Sequence, residues 1–347
     1  MGFVKGSILV TGTNGGLGSA IVKQIANDQE LSRYHGLYTV RDSQNAPAVS
    51  SILASTPSHP HELCSLDLTN LDIVRHLAMD INARVAAGTL PPIRALILNA
   101  GYQDFGNQAW TEDGLDKVFC ANYLGHWLLT LLLLQSMDKD SGRIVIIGSE
   151  SHDPLDKRNS DSKAFVEEQY KTVLQDQSTI SAIARGTWCA AKEDPSFRPA
   201  FRRYGATKLF LVMMVHELQR RLDRDAALSN VCVLGVDPGR MSTGLARQAP
   251  WVIRVLVMQV LFPLLALLMP RGGNVRSPAT SAAHVLEAAV GSGPGLGELP
   301  KARFFNGLEP WETSVEARDA VKRDWVWKES VRDARLVEGE TALEDFL

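Results

Sequence analysis

The run Thr11-Gly12-Thr13-Asn14-Gly15-Gly16-Leu17-Gly18 constrains this chain more than any other stretch, because of what flanks it. Before it, Ser7-Ile8-Leu9-Val10 is a short apolar run that reads as a buried strand. After it, Ile21, Val22 and Ile25 fall on one face of a predicted helix. Strand, glycine loop and helix in that order suit a dinucleotide. Glycines let the backbone turn and approach a pyrophosphate, and the helix start offers unpaired N–H groups. The spacing is T-G-x-x-x-G-x-G, through Gly12, Gly16 and Gly18, and it departs from the common G-x-G-x-x-G. Taken alone, the run also suits a plain tight turn.

The rest of the chain adds parts in a consistent order. Gly36 to Val40 reads as a second strand with Arg41-Asp42 at its tip, and residues 43–61 read as a polar connection. Glu62 to Leu66 is a third strand ending at Asp67, a residue equally suited to starting the next helix. Ile93 to Leu98 is a fourth strand closed by Asn99-Ala100-Gly101. A helix from about Asp113 to Gln135 carries Asn122 in an apolar interior, where an amide is unfavourable unless something repays it. His126, one turn later, reads as a core or surface histidine. A fifth strand, Gly142 to Gly148, runs into Ser149, with Ser151 as a rival hydroxyl. Tyr204 and Lys208 share a helical face. A sixth strand, Asn230 to Val236, ends at Asp237-Pro238-Gly239. Lys301 to Phe305 is predicted as a seventh, edge strand, Ser281 to Val290 as a helix, and Ser314 to Leu336 as a C-terminal helix packed on the body.

Over roughly Val4 to Thr243 these stretches resemble the short-chain dehydrogenase/reductase family, in its retinol-dehydrogenase-like or fungal secondary-metabolism branch. The resemblance implies an α/β fold, a doubly wound parallel (Rossmann) sheet of about seven strands. A single domain over 1–347 is expected, with its core at about 4–245, an insertion at about 153–199, a substrate lid at about 245–275 and a C-terminal extension at about 300–347. It also implies a catalytic set of Asn122, Ser149, Tyr204 and Lys208. The implied cofactor residues are Gly12, Asn14, Gly16, Leu17, Gly18, Arg41, Asp67, Asn99, Gly101, Tyr204, Lys208, Pro238, Gly239 and Thr243. Arg41 at the second strand tip favours NADP(H), and Asp42 beside it keeps NAD(H) open. The Lys208 ammonium is expected to lower the Tyr204 phenol's pKa. One departure stands out. The family's tyrosine follows its serine closely, whereas here the long polar segment from about Asp153 to Pro199 intervenes and reads as an inserted helix and loops over the site's mouth.

Composition narrows the function further. A net charge of −3 leaves no footprint for nucleic acid. Four cysteines without C-x-x-C spacing suggest neither a metal site nor a disulfide framework. No secretory signal precedes the first strand, so a cytoplasmic enzyme is expected. Trp251 to Met269 is the most apolar stretch, interrupted by Arg254, Gln259 and Pro263. It reads as a lid over a pocket for a lipophilic small molecule, or as an interfacial contact with a membrane or a second subunit of a homo-oligomer. The expected activity is carbonyl–alcohol interconversion, a lipophilic ketone or aldehyde being reduced. The alternative is a non-catalytic NADP-binding regulator or membrane-recruited scaffold on the same fold.

Overall fold

Apolar strands alternating with amphipathic helices are satisfied by a parallel sheet covered on both faces, and this chain adopts one. The computed structural model describes residues 5–194, 196–241, 273–293 and 295–347. The strands are β1 (Ser7–Val10), β2 (His35–Val40), β3 (His61–Ser65), β4 (Ile93–Leu98), β5 (Arg143–Ile147), β6 (Cys232–Asp237), β7 (Arg303–Asn306) and β8 (Glu309–Pro310). They form one sheet in the order β3-β2-β1-β4-β5-β6-β7-β8. Every pairing is parallel except β7 with β8. The order reverses between β1 and β4, which opens a crevice at the carboxyl ends of the strands.

The helices are α1 (Gly16–Asn27), α2 (Pro47–Ala54), α3 (Leu71–Ala86), α4 (Gly125–Leu133), α5 (Ser178–Ala184), α6 (Arg198–Leu222), α7 (Pro278–Val290) and α8 (Ala320–Ala334). Ile21, Val22 and Ile25 of α1 pack with Val285 and Leu286 of α7 on one face of the sheet. α3, α4 and α6 cover the other face, where Val74, Ile81, Leu128, Leu131, Phe210 and Leu218 share one core.

Several expectations need correcting. The polar connection 43–61 contains α2, which opens on Pro47 and buries only Val49 and Leu53. So short an apolar face leaves little periodic signal. The predicted edge strand β7 is flanked by β8, so the sheet has eight strands. The helix expected from Asp113 starts at Lys117, where the Asp116 carboxylate accepts the Val118 and Phe119 amides. Between Lys117–Phe119 and α4, Cys120–Leu124 forms a π-helical turn. The segment between Ser149 and Tyr204 does more than loop over the mouth. Val173, Leu174, Ile180 and Ile183 are buried in the main core. The Glu316 carboxylate accepts the Val173 and Leu174 amides at 2.9 and 2.7 Å. Thr243 and the apolar stretch Trp251 to Met269 lie outside the described residues. Among the described residues, one helical run, Lys117–Ser136, is long and apolar enough to cross a bilayer, but 89% of its apolar window is buried inside the protein, as in a core helix.

The C-terminal helix docks through Trp327, which is 2% exposed. Its ring meets Trp127 of α4 edge-on at 5.2 Å, Arg221 of α6 lies 4.4 Å over it, and its indole N–H donates to the Phe346 carbonyl at 2.7 Å. Trp327→Ala should lower unfolding free energy by about 3–5 kcal/mol. Urea denaturation monitored by circular dichroism measures this, and a loss below about 1 kcal/mol would show that the helix is not part of the cooperative core.

Candidate active site

The glycine loop is shaped by close approach. Gly12 has φ +71°, and a Cβ there would lie 2.8 Å from the Ala100 Cα. A Cβ on Gly18 would lie 2.4 Å from the Gly12 carbonyl oxygen. Asn99 ties the loop to β4, its amide donating to the Thr11 carbonyl at 2.7 Å while its backbone N–H donates to the Thr11 hydroxyl at 2.9 Å. Gly16 opens α1, whose first turn has no side-chain cap, and Leu17 is buried beneath it. The loop therefore presents free amides at the sheet's carboxyl edge, a cradle that fits a pyrophosphate. The Asn14 carboxamide oxygen accepts the Ala48 amide at 2.9 Å and so fastens the loop to α2. Arg41 is exposed and makes no hydrogen bond or ion pair among the described residues, free to meet an anion. Asp67 accepts the Thr69 amide and hydroxyl at 2.9 and 2.7 Å, whereas Asn70 caps α3. The capping role thus belongs to Asn70, and Asp67 shapes the β3 exit. Gly101 stands against Asn122, 3.2 Å from a Cβ placed on it to the amide oxygen.

Asn122 lies in the π-helical turn and is fully buried. Its amide oxygen accepts the Tyr102 N–H at 2.9 Å, and its NH₂ donates to the Tyr102 carbonyl at 3.0 Å and to the Thr207 hydroxyl at 3.2 Å. The amide is thus repaid by bonds to the β4 exit and to α6. His126 is a core residue, its Nε2 2.9 Å from the Thr11 hydroxyl, and burial lowers its pKa to about 4. Ser149 follows β5, and Ser151, the rival, donates its hydroxyl to the Ser149 Oγ at 3.0 Å. Tyr204 and Lys208 stand on α6, the Lys208 Nζ 5.5 Å from the Tyr204 ring centre. That ammonium donates to the Ile147 carbonyl at the end of β5, at 2.8 Å. Asn122, Ser149, Tyr204 and Lys208 therefore gather at the crevice.

The electrostatics differ from expectation. Burial raises the Tyr204 phenol well above its ordinary value, and the Glu150 and Asp237 charges add to this; the neighbouring Ser149 hydroxyl opposes them. The phenol is held neutral, and the Lys208 ammonium does not lower it. Burial depresses Lys208 to about 8, partly offset by Asp237. Asp237 is itself raised to about 6, by burial first and then by Glu150, with Arg158 acting the other way.

A charged layer behind these residues went unread in the sequence. Arg158, from the long segment, donates to the Asp237 carboxylate at 2.9 Å and also pairs with Asp156. Arg240 donates to Glu150 at 2.9 Å and to the Arg158 carbonyl. Asp237 also accepts the Gly239 amide at 2.9 Å, which shapes the Pro238-Gly239 turn. The available signal was an acid placed directly before Pro-Gly in a strand end that should be apolar.

Lys208 makes a pH prediction. Below about 8 its ammonium is charged in the folded and the unfolded chain, and its burial cost is carried in full. As pH rises toward the ordinary lysine range, near 10.4, the folded chain releases the proton first and the cost is relieved. Relative to a Lys208→Met variant, the parent should therefore gain on the order of 3 kcal/mol across that window, as read by urea denaturation at stepped pH. Parallel curves for the two proteins would place the ammonium in solvent.

Known proteins resemble this chain in sequence and in fold. Residues 7–177 match the family model for short chain dehydrogenases. A short-chain dehydrogenase, iccH, of Talaromyces variabilis is 42% identical over 98% of both chains. Among solved structures, an uncharacterised protein of Mycobacterium paratuberculosis superposes with TM-score 0.63 at 22% identity, covering 96% of this chain and 94% of that one. An NADPH-bound carbonyl reductase from chicken fatty liver superposes with TM-score 0.57 at 16% identity, covering 88% of this chain and 98% of that one. The fold is shared with both structures, and by its fungal relative the chain belongs to the short-chain dehydrogenase/reductase family of oxidoreductases.

Proposed function

We propose that this oxidoreductase uses NADP(H) to interconvert a carbonyl and an alcohol, reducing a lipophilic ketone or aldehyde. The observation that carries the reading is a neutral, buried phenol at Tyr204 beside the Ser149 hydroxyl, with the Lys208 ammonium fixed to the β5 end. The nicotinamide, when bound, supplies or takes up the hydride. Tyr204 gives its phenolic proton to the oxygen that becomes an alkoxide, and Ser149 hydrogen-bonds the same oxygen. Lys208 places a positive charge beside the phenol, which steadies the phenolate left behind. Asn122 holds the Tyr102 backbone and α6 in register behind that oxygen. The loop residues Gly12, Asn14, Gly16, Leu17 and Gly18 would take the pyrophosphate, Arg41 the 2′-phosphate, and Asp67, Asn99, Gly101, Pro238 and Gly239 would line the cofactor. Thr243, one of the expected cofactor residues, would meet the nicotinamide carboxamide. A cytoplasmic, single-domain enzyme is part of it too, with the lipophilic pocket resting on the apolar composition of 251–269. The alternative of a non-catalytic regulator is disfavoured because all four reacting side chains are present and gathered.

Tyr204→Phe should lower kcat by about 10²-fold or more while NADPH affinity stays near the parent's. Stopped-flow turnover with NADPH fluorescence titration separates the two, and turnover within a few-fold of the parent removes Tyr204 from the chemistry. Arg41→Ala should weaken NADPH binding by about 1.5–3 kcal/mol and leave NADH nearly unchanged. Equal losses for both cofactors, by calorimetry, would mean that the strand tip does not read the 2′-phosphate.

A further inference from the structure

The Ser149 hydroxyl has one proton and more than one claimant. It donates to the Glu150 carboxylate at 3.0 Å. Its lone pairs are taken by the Ser151 amide at 3.2 Å and the Ser151 hydroxyl at 3.0 Å. A carbonyl oxygen is a pure acceptor, so Ser149 can bind it only by withdrawing its proton from Glu150. Glu150 is held for this role: it is buried, and its other oxygen accepts from the Arg240 Nε at 2.9 Å. The Asn159 amide donates to its backbone carbonyl at 3.0 Å. Arg240 is in turn joined to the Arg158 carbonyl, so the carboxylate cannot simply swing into solvent.

We propose that Glu150 is a positioning residue acting through Ser149. Its carboxylate draws the Ser149 proton away from the carbonyl oxygen, and replacing it by an amide returns that hydrogen bond to the substrate. This rests on the carbonyl–alcohol reading above. A carboxamide here, its oxygen held by Arg240, faces Ser149 with an NH₂ that accepts nothing, and the Ser149 proton then turns to the carbonyl. The charged and titratable groups facing Glu150 are Arg240 directly and Arg158, Asp237 and Tyr204 through space. Asp161 lies on the far side of Arg240 at 3.9 Å, and His152 holds the Ser149 carbonyl at 2.7 Å.

The test compares Glu150→Gln with the parent, because a glutamine can accept from Arg240 while presenting no acceptor to Ser149. NADPH-driven reduction of an aromatic ortho-quinone is followed at neutral pH, where the variant kcat/KM should exceed the parent's roughly tenfold. In a Ser149→Ala background the same substitution should no longer give the tenfold gain. A variant that tracks the parent, drops below it, or acts equally without Ser149 overturns the proposal. A second reading needs no turnover. The calorimetric affinity of the NADP⁺-bound enzyme for the same quinone should rise in Glu150→Gln and not rise when that substitution is made in the Ser149→Ala background, and an unmoved affinity overturns the proposal. Absence of any carbonyl turnover by the parent counts against the function proposed above, while that binding comparison still decides the role of Glu150.

Discussion

The bond from the Lys208 ammonium to the Ile147 carbonyl is what the rest of the site depends on. A lysine buried to this degree is expensive unless its charge is answered, and here it is answered by one carbonyl and the nearby Asp237. The bond ties α6 to the last residue of β5, immediately ahead of the Gly148-Ser149 exit. The spacing from Tyr204 to Lys208 then sets the phenol beside the serine without further adjustment. Shift α6 by one residue and the ammonium loses its carbonyl, the phenol its hydroxyl, and Asn122 its bond to Thr207. Three independent contacts therefore specify one register.

Anchoring a positive charge at the strand ends obliges the surroundings to balance it. Asp237 supplies a carboxylate with 1% exposure, which would itself be costly if left alone. Arg158 answers it, and Arg158 belongs to the segment that separates Ser149 from Tyr204. The segment thus contributes charge to the site as well as cover. Its guanidinium also lies 4.9 Å over the Trp311 ring, which ties the same arginine to the chain beyond β8. Removing one member of this set would strand another buried charge, so the members are expected to vary together.

What the sequence made legible was local. A strand, a glycine loop and a helix are contiguous, so Ser7 to Gln24 could be read from periodicity and turn chemistry. Ile93–Leu98 is uniformly apolar because both faces of a central parallel strand are covered, and it was placed to the residue. Tyr204 and Lys208 were readable because four residues make one helical turn. Other features had no such signal. α2 buries two side chains and is short, and β8 is two residues whose strand character exists only through β7. The link between Glu150 and Arg240 joins residues 90 apart, and that between Arg158 and Asp237 joins residues 79 apart. No window of sequence contains either pair. Asp237 was visible, but read as part of a turn, since its partner could not be known.

The Tyr204 phenol shows how a local reading can find a residue and mistake its state. Reasoning from Lys208 alone predicts a lowered pKa, because an ammonium favours the phenolate. Burial disfavours any charge, and two carboxylates, Glu150 and Asp237, reinforce it from the same side. A phenol kept neutral still carries its proton. Burial leads that balance and Glu150 follows it, and the same carboxylate accepts the Ser149 hydroxyl. The phenol and the serine hydroxyl therefore share one carboxylate, which the Arg240 guanidinium holds in place.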